Sequence, residues 1–154
     1  FETWSSYTNS PAEISSWGVS VGAQTKIFGN FDLSANYTKS KLEFEQDLYP
    51  DFRTNWNTPE HKIKAQFGNT SLFENFGFNV AWRYWSEYLW QASFGDGMVP
   101  ETHVLDAQIN LTVPKWKSTI KVGATNLGGE EYFTAFGSGF IGTQYYISWT
   151  ANNF

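Results

Sequence analysis

The chain has 154 residues, of which 19% are aromatic and only 16% charged, with a net charge of −5. The acidic balance excludes a basic nucleic-acid module, and the abundance of large apolar groups excludes disorder. The absence of cysteine excludes disulfides, thiolate zinc sites and cysteine nucleophiles.

Taken in chain order, strict period-two alternation appears seven times. The first run sets Trp17, Val19, Val21, Ala23 and Ile27 against Gly18, Ser20, Gly22, Gln24 and Lys26. One face is apolar and the other polar, as a half-buried strand requires. The second sets Phe31, Leu33, Ala35 and Tyr37 against Asp32, Ser34, Asn36 and Thr38, then passes into a charged stretch from Lys39 where the parity is expected to change. The third sets Ile63, Ala65 and Phe67 against Lys62, Lys64 and Gln66. The fourth and longest carries Phe76, Phe78, Val80, Trp82, Tyr84, Tyr88 and Trp90 against Asn79, Arg83 and Glu87. The fifth sets Leu105, Ala107, Ile109 and Leu111 against Asp106, Gln108 and Asn110. The sixth sets Ile120, Val122 and Ala124 against Lys121, and the seventh Tyr145, Ile147 and Trp149 against Gln144, Tyr146 and Ser148. Strands are therefore expected near 12–28, 31–45, 60–68, 76–91, 104–113, 118–127 and 143–151, with almost no helix.

The connections alternate. Those at 28–30, 69–75 and 114–117 are short, and those at 46–59, 91–103 and 128–142 are long. Ile27 and Phe31 must share a face, so the first turn is read as a three-residue loop with Gly29 or Asn30 left-handed. The turn at Pro114 pairs Val113 with Ser118 and Ile109 with Val122. Across 69–75, Phe67 is set opposite Phe76, which places Glu60 opposite Arg83. Mean hydropathy is only −0.41 despite the aromatics. Short turns at one end, long loops at the other and one apolar face per strand define an all-β, antiparallel transmembrane β-barrel segment of about seven strands. Aromatics gather at both ends: Phe28, Phe31, Phe73, Phe76 and Trp116 by the short turns, Tyr88, Trp90, Tyr132 and Phe133 by the long loops. Two such belts suit two membrane interfaces. Val80, Trp82, Ile109, Val122 and Ile147 are the lipid-facing candidates. Lys62, Lys64, Arg83, Glu87, Asp106 and Lys121 are the lumen-facing candidates, in a set too rich in charge for a packed core.

Several stretches carry a resemblance. Asn57-Thr58-Pro59-Glu60-His61-Lys62, Trp82-Arg83-Tyr84 with Glu87-Tyr88, and Val104-Leu105-Asp106-Ala107 resemble successive strand openings of TonB-dependent outer-membrane receptors. Val122-Gly123-Ala124-Thr125-Asn126-Leu127 with Glu131-Tyr132 is similar to their penultimate strand, and 141–148 to the closing one. Trp149-Thr150 and Phe94-Gly95 look most like the Bacteroidetes members. The resemblance implies that residues 1–154 are the C-terminal part of an outer-membrane barrel, with a plug domain upstream. It also implies contact of the lumen-facing set with that plug, energy coupling through TonB, insertion by the barrel-assembly machinery and import of a small extracellular ligand of siderophore, cobalamin or glycan type. Phe154 departs from the family by falling out of parity with the last strand.

Two other architectures fit the alternation: a free-standing eight-stranded outer-membrane protein, with 1–7 as the extra strand, and a secreted aromatic-rich, carbohydrate-binding sandwich. No acid–His–nucleophile spacing is present, so no enzyme, cofactor or metal is expected. His61 and His103 are read as polar residues where loop meets strand. Glu43, Glu45, Asp47 and Asp51 are weighed as a cation site with lipopolysaccharide against a solvated loop.

Overall fold

The structure, a computed structural model, describes residues 12–151. The expected strand at 1–7 and Phe154 lie outside the described residues. Nine strands form: β1 (Ser15–Ile27), β2 (Phe31–Glu43), β3 (His61–Phe73), β4 (Phe76–Trp85), β5 (Tyr88–Ala92), β6 (Gly95–Val99), β7 (Thr102–Val113), β8 (Ser118–Thr125) and β9 (Gln144–Ala151). The only helical elements among the described residues are two single 3-10 turns, at Gln46–Leu48 and Pro114–Trp116. No helix is long and apolar enough to cross a membrane, which says nothing of strands.

Seven strands make one antiparallel sheet in the order β1-β2-β3-β4-β7-β8-β9, with β5 and β6 paired separately. Every neighbour in the large sheet follows its predecessor in the chain, apart from the inserted hairpin. Such a meander needs only short turns and no crossover. The expected first turn forms with Ile27 opposite Phe31. Its positive φ values fall on Phe28 (47°) and Gly29 (90°), so Asn30 is not left-handed. The turn at Pro114 pairs Val113 with Ser118 and Ile109 with Val122, as the alternation requires.

Three expectations need correction. The β3–β4 register is not the one that puts Phe67 opposite Phe76. Phe67 faces Val80, Lys64 faces Arg83, and β3 runs on to Phe73 opposite Phe76. The cause is a bulge: three residues, 70–72, stand against Gly77 alone. The buried Asn69 side chain organises it by accepting the Ser71 N–H at 2.8 Å, an Asx-type turn. A Cβ on Gly77 would lie 2.6 Å from the Asn69 and Thr70 carbonyl oxygens, so only glycine fits there. Because 69–73 carries no alternation, the sequence reads it as part of the connection at 69–75. The slip is by an even number, so no side chain changes face.

The fourth strand is not continuous over 76–91, and 91–103 is not an open loop. The chain is interrupted at Ser86–Glu87 and again at 100–101, with β5 and β6 between. Trp85 pairs with Thr102 and Tyr88 with Val99, the same register on both sides of the break. The hairpin is thus an in-phase extension of β4 and β7, turned at Ser93-Phe94. Glu87 lies in the break and belongs to neither sheet face. Finally, parity does not change at Lys39, since β1–β2 pairing runs unbroken to Ser15–Glu43. The residues become polar while the face stays the same.

Candidate functional site

The registers carry each strand's faces across the whole sheet. Val80, Trp82, Ile109, Val122 and Ile147 fall together on the apolar face, and Lys62, Lys64, Arg83, Asp106 and Lys121 on the polar one. The apolar face is bare: Val21 is 65% exposed, Ile109 49%, Ile147 76% and Trp149 70%. Buried apolar side chains are few, chiefly Val99, Val104, Ala124 and Tyr132, and they sit at the long-loop end.

On the apolar face that end finishes in a polar–aromatic row. Tyr37 Oη and His61 Nδ1 share a hydrogen bond of 2.8 Å. His61 Nε2 lies 3.7 Å from Glu60, which pairs with Lys39 at 3.4 Å. Lys39 stands over the Trp17 ring, whose Nε1 donates to Glu43. Across β4 and β7, Trp82, Tyr84 and His103 stack. Alternation alone did not reveal this row, because it mixes His, Lys and Glu into an otherwise apolar face. At the opposite end Phe28 (90% exposed), Phe73 and Trp116 stand out by the short turns.

The polar face is a wall of carboxamides and hydroxyls interspersed with charged side chains. Gln24, Gln66, Asn69, Asn79, Gln108 and Asn110 line a hollow of ≈ 450 Å³. Lys26 pairs with Asp32 at 3.9 Å. Arg83 does not meet Glu60. It reaches Asp106 on β7, with Nη2–Oδ2 at 2.9 Å. Asp106 Oδ1 also accepts the Asn126 backbone N–H at 3.1 Å. Asn126 is 1% exposed and left-handed (φ 52°). Its side-chain amide donates to the Glu130 carbonyl at 2.9 Å, and its own carbonyl accepts from Thr143. Asn126 and Thr143 were not singled out as sites. An Asn followed by a glycine pair after a strand was the available signal, since Asn tolerates this conformation.

Three excursions from the long-loop end are tied together. Arg53 pairs with Asp96 at 3.2 Å. Asn57 exchanges two hydrogen bonds with the Gln91 backbone, at 2.7 and 2.9 Å. Tyr88 Oη donates to the Thr134 carbonyl at 2.7 Å, and burial raises its phenol pKa. Tyr132 meets Trp85 edge-on, and a Cβ on Gly97 would collide with the Phe136 ring. Glu43, Glu45, Asp47 and Asp51 do not converge: among the described residues no three His, Asp or Glu side chains form a metal-binding group.

No family model matches the chain. No curated protein matches it either. Among solved structures it is similar in fold to the siderophore receptor PiuA from Acinetobacter baumannii, with a TM-score of 0.63 and 18% identity. The match covers 80% of this chain and 19% of the receptor chain. The seven-stranded antiparallel sheet is thus similar in architecture to part of that receptor's barrel.

Proposed function

We propose that this chain is the C-terminal barrel segment of a TonB-dependent active transporter in the bacterial outer membrane. The whole protein would import a scarce ligand of siderophore, cobalamin or glycan type, and this segment performs no chemistry of its own. The observation that carries the reading is a single bare apolar face, kept in phase across seven strands and backed by a carboxamide wall. Val80, Trp82, Ile109, Val122 and Ile147 then face lipid. Lys62, Lys64, Arg83, Asp106 and Lys121 face the lumen and the plug, whereas Glu87 belongs with the loop cap. Phe76 and Tyr84, one from each aromatic row, stand eight positions apart on β4. At ~3.3 Å per residue and ~40° tilt that is about 20 Å of barrel height, near the ~25 Å apolar band of such barrels. The fold likeness to a siderophore receptor and the ordered motifs at 57–62, 104–107 and 122–127 support the same reading, under which the partners are outer-membrane lipid, the plug, TonB and the assembly machinery.

The test is ligand uptake by cells carrying the full-length protein, with and without a proton-motive force. Uptake that needs both the protein and the force is expected. Equal accumulation in de-energised cells would remove the transporter reading.

A further inference from the structure

The hairpin β5–β6 leaves apolar side chains bare at the long-loop end. Leu89 and Met98 stand directly opposite each other and are 48% and 51% exposed, and Phe94 at the turn is 72% exposed. These are not the side chains of a loose tip. The connection before β3 holds the hairpin through Arg53–Asp96 and the two Asn57–Gln91 hydrogen bonds. The connection after β8 holds it through the Phe136 ring, which fills the place of a Cβ on Gly97. An exposed apolar cluster rimmed by polar groups marks a contact surface, and one already held in place loses less freedom on binding. Lipid does not cover it under the transporter reading, because the hairpin continues past the polar–aromatic row of Tyr84 and His103 that ends the apolar face.

Charge selects the occupant. The three connections at this end, 44–60, 86–101 and 126–143, hold nine of the fifteen carboxylate side chains but, of the ten lysines and arginines, only Arg53. The rest of the chain carries nine basic residues against six acidic ones. Arg53 is occupied by Asp96 at 3.2 Å, and Glu60 lies 3.4 Å from Lys39. Glu45, Asp47, Asp51, Glu87, Glu130 and Glu131 are exposed, with no Lys, Arg or His nitrogen within 4.0 Å among the described residues. Arg53–Asp96, Asn57–Gln91 and Tyr88–Thr134 tie the three connections together, so the carboxylates act as one field around the hairpin. Such a field draws in cations and repels anions.

We propose that the long-loop end is a docking surface for a cationic ligand that carries apolar groups. The carboxylates speed its arrival, and Leu89, Phe94 and Met98 hold it. This rests on the transporter reading and gives its ligand a charge. The test uses full-length protein in nanodiscs of neutral lipid and surface plasmon resonance. The probes are a short peptide of lysine and leucine, one of glutamate and leucine, and one of lysine and serine. Saturable binding of the lysine–leucine peptide is expected, with the other two at least about tenfold weaker. Asp47→Asn/Glu87→Gln/Glu130→Gln, one change per connection, should slow association about tenfold at low salt. The difference should vanish at ~1 M salt, where screening acts within ~3 Å. Leu89→Ser/Met98→Ser should speed dissociation and leave association unchanged, the division expected between rim charges and buried contacts. Phe94→Ser, at an exposed turn, serves if that pair fails to fold. Lys115→Gln, in the far turn, should change nothing. Absence of saturable lysine–leucine binding overturns the proposal. So does equal binding of either other peptide, or unaltered kinetics in the folded variants. A protein that takes up its ligand with energy dependence but shows no preference for the lysine–leucine peptide refutes the docking surface alone. One that shows the preference without energy-dependent uptake refutes the transporter reading alone.

Discussion

Asp106 is the residue on which most depends locally, because one carboxylate holds a cation from β4 and a backbone amide at the end of β8. Asp106→Ala leaves Arg83 without its anion and the Asn126 N–H without an acceptor. Each lost acceptor for a buried donor costs ~1–3 kcal/mol, so a loss of about 2–4 kcal/mol is expected in urea unfolding from lipid vesicles. Asp106→Asn, which keeps one acceptor oxygen, should lose less. Tyr88 sets a pH dependence. Its raised pKa means that the folded loop binds the phenolic proton more tightly than the unfolded chain does. The stabilisation is therefore complete below the ordinary value of ~10 and is lost as pH rises through the higher folded value. Protease nicking within 128–142 should increase above that pH, and Tyr88→Phe should nick readily at all pH values.

At the scale of elements, β4 and β7 lengthen into β5 and β6 without losing register. The sequence shows Tyr88 and Trp90 continuing the alternation, so the extension was legible. The return strand was not, because Gly95, Gly97 and Pro100 look like loop and the hairpin is held by Asn57, Arg53 and Phe136 from outside it. The β3–β4 register was likewise illegible, since alternation fixes which face a residue takes but not which partner it meets. The continuation of β3 to Phe73, offset by a two-residue bulge organised by one asparagine, moved the pairing by four residues. In the native register, Gln66→Cys with Ala81→Cys should form a disulfide under mild oxidation. Lys62→Cys with Ala81→Cys, the pair required if Phe67 opposed Phe76, should not; the reverse pattern of crosslinking would show the bulge assignment to be wrong.

At the scale of the molecule, accessible area decides between packing against a core of its own and forming the wall of something larger. A folded monomer of 17.6 kDa exposes about 7,900 Å² by general scaling, whereas this chain exposes 11315 Å². The excess fits a sheet bare on its apolar face, with β1 and β9 each paired on one side only among the described residues. An apolar face of this extent marks a protein or membrane contact surface, and under the proposed function it is the lipid face. Ile109→Arg should then cost about 2–4 kcal/mol in vesicles if it sits near the bilayer midplane. An unchanged unfolding midpoint in urea would remove Ile109 from the lipid face.

What the sequence determined by itself was the face of each residue on the seven strands of the large sheet outside 39–43 and 69–73, the alternation of short and long connections, and the two turns at 28–30 and 114–117. Those features are local: side-chain direction has a period of two, and a short turn leaves few registers that keep apolar residues together. Tertiary structure alone decided that Arg83 pairs with Asp106 and not Glu60, that Asn126 anchors the last long loop, and that three excursions lock into one cap. Each depends on contacts between strands or loops more than 15 positions apart. Their geometry is set by sheet register, and no sequence period encodes it.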